Sequence, residues 1–178
     1  MRPRLVAAAV LLAVTLTPAV VRAQAPAPNG FSLGGVLGDP TGLSLRAGLG
    51  QRAAIQAHVG FSPFPGDAVA LMVDWTYDAV NLLRHSPNAA LLFYFGFGGK
   101  AQWFTGRYYA WEFQDHHSFP DRSHFGLGVR GLVGLRVAFL KAPLDLFFEL
   151  APVSVIIVVP DPGAYYDVDF ALGVRYRF

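Results

Sequence analysis

The chain has 178 residues, of which 53% are hydrophobic and 15% charged, with a formal net charge of +2. That length suits one domain, and that apolarity points to a membrane or a large buried core rather than to an ordinary soluble domain. The lack of cysteine excludes disulfides, thiolate metal centres, cysteine nucleophiles and lipid attached at a cysteine.

The first 30 residues read MRPRLVAAAVLLAVTLTPAVVRAQAPAPNG. Arg2 and Arg4 form a positive start, 5–16 an apolar core, and Val21 and Ala23 a small-residue cleavage site before Gln24. This pattern predicts a secretory signal peptide over 1–23. Pro18 and the short core argue against a retained anchor, which needs about 20 apolar residues. Residues 24–30 read as a short flexible leader. Without Arg2, Arg4 and Arg22, Lys+Arg falls from 14 to 11 against 12 acids. No basic stripe remains to attract nucleic acid. Past the leader there is no helix-length apolar run, which leaves a soluble β-protein or a barrel with its apolar face toward lipid.

From residue 31 the apolar period is two. Eight segments follow: 31–38, 42–50, 53–61, 68–78, 89–104, 124–139, 144–159 and 166–178. DPTG, GQR, SPFPGD, AVNLLRHSPN, LKAP and PDPGAYY connect them, with part of AVNLLRHSPN expected to extend the fourth segment or form a short helical turn, and 105–123 reads as one long polar-aromatic loop. In the sixth segment Phe125, Leu127, Val129, Val133, Leu135, Val137 and Phe139 share one face. His124, Gly126, Gly128, Arg130, Gly134 and Arg136 share the other, with Leu132 as its large apolar exception. The fourth, fifth and last segments sort in the same way.

Collected, the polar faces hold six cations (Arg46, Lys100, Arg130, Arg136, Arg175, Arg177) and six anions (Asp74, Asp78, Asp145, Glu149, Asp167, Asp169). Such balance suits a closed interior, where charges must be paired. The opposite faces would form a continuous greasy belt in water. The fold expected is therefore all-β: an eight-stranded antiparallel up-and-down transmembrane β-barrel over 31–178, charges inward and lipid outward. A one-residue slip would put Arg130 or Arg175 in hydrocarbon at about 2–4 kcal/mol each.

Tight turns alternating with longer loops place both termini in the periplasm and 105–123 outside. The final strand must close on the first. Its alternating Val174, Tyr176 and Phe178 look like the C-terminal signal read by the barrel-assembly machinery of a Gram-negative outer membrane.

An eight-stranded interior is just filled by side chains, so no wide channel is expected. The central cluster expected is Arg46, Asp74, Arg130, Arg136, Glu149 and Arg175, acting as a salt-bridge network that closes the lumen. A gated ion path would need a charge pair that switches partner. His58 on the lumen face is a hydrogen-bonded filler. Trp75, Tyr77, Trp103 and Phe104 are expected in the aromatic girdles. The lumen-side Gly96, Gly98, Gly126, Gly128 and Gly134 leave room for Arg and aromatic side chains.

The stretch 105–123 is the candidate extracellular binding loop. Tyr108, Tyr109, Trp111 and Phe113 suit the level of lipopolysaccharide headgroups, or a partner surface through Tyr108, Tyr109, Trp111, His116 and His117. Asp115, His116, His117, Asp121 and His124 are metal-ligand types, but without rigid ligand spacing, so no metal and no cofactor is assigned. His116 and Ser118 form an H-x-S pattern weakly similar to that of PagL-type lipid A deacylases, but the residues after Ser118 do not match. No phosphate loop, zinc-protease helix, dinucleotide fingerprint or credible triad occurs. The main reading is non-enzymatic. A lipid A-modifying enzyme and a soluble periplasmic lipocalin-like binder are the alternatives.

The stretches GGVLGDPTGLSLRAGLG, ALMVDWTYD, LLFYFGFGGK, FGLGVRGLVGLRV, PLDLFFELAPV and DFALGVRYRF resemble the BAPKO-type small outer-membrane β-barrel family. The resemblance spans about 31–178 and rests most on DPTGLS, LDLFFELAP and GVRYRF. It implies an architecture similar to the OmpA transmembrane domain or OmpX, no established activity and no catalytic residues to carry over.

Overall fold

The computed structural model describes residues 30–63, 66–83, 86–111, 116–118, 123–159 and 163–178, with the backbone alone for 66, 105–111, 116–118 and 159. The signal peptide and nearly all of the leader expected from the sequence lie outside the described residues.

Eight antiparallel strands close into one ring, and no helix occurs among the described residues. They are β1 (Phe31–Gly38), β2 (Thr41–Gly48), β3 (Ala53–Ser62), β4 (Gly66–Asn81), β5 (Ala89–Trp111), β7 (His124–Phe139), β8 (Leu144–Val159) and β9 (Gly163–Arg177). A short β6 (His116–Ser118) pairs with β5 outside the ring. Each strand pairs with the next, and β9 returns to β1, with Ser32 opposite Arg177 and Gly38 opposite Ala171. Closure leaves no ring strand with a free edge.

Period-two patterning makes these strands, and the pleat sorts their side chains. Along β7 the inward His124, Gly126, Arg130, Leu132, Gly134 and Arg136 are buried, while Leu127, Val129, Val133 and Leu135 are exposed. Around the ring, Arg46, Asp74, Lys100, Asp145, Glu149, Asp169 and Arg175 are buried too. The core is thus a charged lumen, as the face-sorting predicted.

Two lumen glycines make space for rings. A Cβ on Gly134 would lie 2.5 Å from Tyr94 Cζ, and one on Gly173 would lie 2.5 Å from Phe147 Cε1. The outward Gly131 has nothing within 4 Å of that position. Gly134→Ala is therefore expected to cost about 1–3 kcal/mol by displacing Tyr94. Gly131→Ala should be neutral or slightly stabilising. Urea titration of the refolded barrel reads both.

Two expectations are corrected. Residues 105–111 are not loop: β5 continues to Trp111, and Tyr109, Ala110 and Trp111 pair with Ser118, His117 and His116. Phe104 is not a girdle residue. It is fully buried beside Tyr165, because period two puts it on the same face as Lys100 and Gln102. Trp75, Tyr77 and Trp103 do face outward, with Trp75 stacked on Tyr77 at 6.1 Å. The first residues of AVNLLRHSPN extend β4 to Asn81 past an irregularity between Asp78 and Val80, the strand alternative expected for part of that connection.

Candidate functional site

The lumen charges form three connected groups. At the end that holds Gly30 and Phe178, called here the terminus end, Asp78 accepts from Arg46 at 3.1 Å and from Arg136. Asp145 pairs with Arg136 and Arg177, each at 3.3 Å. The β7–β8 register explains the Arg136–Asp145 contact: Arg136 lies opposite Phe147 and Ala138 opposite Asp145. Arg177 also donates to the carbonyls of Phe139 and Ala142, tying β9 to the β7–β8 turn.

Glu149 is the hub of the middle group. Tyr94 Oη donates to its Oε1 at 2.5 Å and Gln56 Nε2 at 3.0 Å. His58 Nε2 lies 3.4 Å away, Arg175 Nη2 3.8 Å and Arg130 Nη2 3.9 Å. The carboxylate is 1% exposed, so the donors Tyr94 and Gln56 and the nearby guanidinium groups of Arg175 and Arg130 replace its water. Arg175 is fixed from three further sides. It donates to Ser44 Oγ at 2.7 Å and to Gln56 Oε1 at 3.3 Å, and lies 3.7 Å over the Phe147 ring. Arg130 reaches Asp74 at 3.4 Å.

Arg130 links this hub to the third group, meeting Asp169 at 3.3 Å. Lys100 Nζ is 2.6 Å from Asp169 and 3.6 Å from Asp39. Asp39, Asp167 and Asp169 bring one carboxylate oxygen each within 4.8 Å of one another, but Lys100 already supplies positive charge to two of them. Asp39 lies in the β1–β2 turn. Burial pushes its carboxyl up to about 6, with Lys100 opposing and Asp169 adding to the rise.

The folded pKa of Asp39 exceeds the ordinary 3.8, so the native state holds the proton more tightly. Its contribution is favourable below about pH 4 and is lost as pH rises through about 6. Compared with Asp39→Asn, the parent should lose about 2–3 kcal/mol more stability between pH 4 and pH 7. Urea midpoints of the two proteins across that range check this.

The six cluster residues expected from the sequence all line the lumen but divide between two groups. Asp74, Arg130, Glu149 and Arg175 meet in the middle, whereas Arg46 and Arg136 meet on Asp78 near the terminus end. Glu149 stands opposite Ala171, and Asp145 opposite Arg175; Arg175 still reaches Glu149 diagonally. The partners left out of that cluster are Gln56, His58, Asp78, Tyr94, Lys100 and Asp169. All six sit on lumen-facing positions of their strands, and that alternation was the available signal.

Val174, Tyr176 and Phe178 are exposed on the outer side of the ring's closing end, with the Phe178 ring 5.1 Å from Tyr176 and 5.9 Å from Phe31. Tyr108, Tyr109, Trp111, His116, His117 and Ser118 lie on the backbone of the β5–β6 hairpin. Asp115 and Asp121 lie outside the described residues. His124 is buried at the start of β7. No family model, no curated protein and no solved structure matches the chain.

Proposed function

We propose that the chain is a small, non-enzymatic, integral outer-membrane barrel of the BAPKO-like kind, its lumen closed by ion pairs. In this reading it serves envelope structure or surface interaction. One observation carries it: every strand of the ring presents exposed Leu, Val, Ile or Phe outward and buries polar groups inward. Leu43 is 57% exposed, Val129 72%, Ile156 61% and Leu172 55%, while Arg175 and Asp74 are 0% exposed. An apolar band around a whole barrel is costly in water and favourable in lipid. A soluble lipocalin-like barrel needs the opposite arrangement, with an apolar cavity and a polar exterior.

The lipid-facing surface makes outer-membrane lipids, including lipopolysaccharide, the main partners, and the barrel-assembly machinery a transient one through Val174, Tyr176 and Phe178. The β5–β6 hairpin stands at the end away from the termini and is the part placed to meet an extracellular partner. Cell fractionation tests the reading. The protein should stay with the outer membrane after carbonate washing and migrate differently in gels before and after boiling. Release by carbonate, with no heat shift, would contradict it. The deacylase alternative would need the lipid A profile of expressing cells to change and to revert with Ser118→Ala.

A further inference from the structure

β1 and β2 have eight residues each and are the shortest strands of the ring. The turn between them lies at the end away from the termini and reaches no further along β9 than Phe170. A main-chain bond ties it to β9: Asp39 N–H donates to the Phe170 carbonyl at 2.8 Å. Two further bonds stay within the turn, where Thr41 Oγ1 accepts from Gly38 N–H at 3.1 Å and donates to the Gly38 carbonyl at 3.0 Å.

Asp39 carries a carboxyl group from this turn into the lumen, where it is 3% exposed. Neither of its oxygens accepts a hydrogen bond of normal geometry among the described residues. Lys100 on β5 lies 3.6 Å away, but it sits closer to Asp169, at 2.6 Å. Asp167 and Asp169 on β9 each bring an oxygen within 4.8 Å of it. Arg130 on β7 is shared among Asp169, Asp74 and Glu149. Burial is the largest influence on the Asp39 carboxyl and opposes its ionisation, as do the charges of Asp169 and Asp167; Lys100 and Ser62 favour the ionised form. A neutral Asp39 is thus accommodated where it lies, and an ionised one poorly. Exposed to water, the same group ionises freely.

We propose that the β1–β2 turn is a proton-operated latch: with Asp39 neutral it stays docked on the lumen, and with Asp39 ionised it is released toward water and bares the acidic group of Asp39, Asp167 and Asp169. The device rests on the geometry of the barrel and stands whether or not the chain lies in a membrane. Docked, the carboxyl holds its proton up to about pH 6; released, only to the ordinary 3.8. Release is therefore rarest below about pH 4, rises between those two values and levels off above about pH 6. Between pH 5 and pH 7 the opening equilibrium should rise about tenfold.

Hydrogen exchange of the Gly38 and Asp39 amides reads this opening in the chain folded in maltoside micelles, once each rate is divided by the intrinsic rate at that pH. The protection of both amides should fall about tenfold from pH 5 to pH 7. Both should exchange faster than the Val133 amide at every pH, because the turn opens while the barrel stays folded. Asp39→Asn, neutral throughout, should keep the protection that the parent shows at pH 5. If that variant does not fold, the side-chain carboxyl carbon of Asp39 in the parent decides, and its NMR shift should titrate near pH 6. Protection that does not change with pH in the parent, a fall that persists in Asp39→Asn, exchange no faster than Val133, or titration of Asp39 near 3.8 would each overturn the latch.

Discussion

Glu149→Ala is expected to destabilise the barrel by about 3–5 kcal/mol, the largest loss of any single lumen substitution. The carboxylate is the shared acceptor of Tyr94 and Gln56 and the counter-charge for Arg130 and Arg175, with the His58 ring beside it. Removing it leaves Arg175, itself 0% exposed, without its carboxylate partner. Coulomb attraction and desolvation oppose each other in a buried ion pair, so the intact network adds little net stability. Breaking one side exposes the full desolvation cost, and that asymmetry sets the sign and size of the effect. Asp78→Ala should cost less, about 1–3 kcal/mol, because the cavity lined by Arg46, Asp78 and Arg136 at the terminus end of the lumen has room for water. Equilibrium urea unfolding in lipid vesicles, followed by tryptophan emission and gel mobility, ranks the two. Equal losses would mean that the middle of the lumen is as wet as its mouth.

Val133→Arg is expected to cost about 2–4 kcal/mol for the barrel in a bilayer. Val133 lies midway along β7, pairs with Phe95 and Leu150, and is 46% exposed on the outer face. An arginine there meets hydrocarbon and has no lumen carboxylate within reach. On a water-facing surface the same change would stay within about 0.5 kcal/mol. The size of the loss therefore reports the solvent of the outer face.

How much of this was legible in the sequence follows from what enforces each pattern. β7 and β8 run over the residues expected, 124–139 and 144–159, because inside and outside impose opposite polarity on alternate residues along their whole length. The same rule placed Tyr94, Lys100 and His58 in the lumen. It also places Phe104 there, although its neighbour Trp103 points out and invites a shared girdle role. Beyond the apolar band nothing enforces alternation, so TGRYYAW looked like loop although its backbone continues β5. Depth within the lumen was not legible either. Arg46, Gln56 and Asp74 are in register across β2, β3 and β4, yet Arg46 pairs with Asp78, four residues along β4. Strands in a closed barrel are tilted and staggered, and a long arginine chain adds its own reach. Alternation fixes which residues face inward; the stagger decides which of them meet.

The claim that matters most is that the barrel is charged within and apolar without, facing lipid. The chain has no native cysteine, so single cysteines can be placed at Val69, Ala70, Leu71, Met72 and Val73 along β4 and spin-labelled in vesicles. Collision with oxygen, which concentrates in lipid, should be high at 69, 71 and 73 and low at 70 and 72. A water-soluble nickel chelate should give low collision rates at 69, 71 and 73. High nickel accessibility at those three positions would place the outer face in water and contradict the membrane reading.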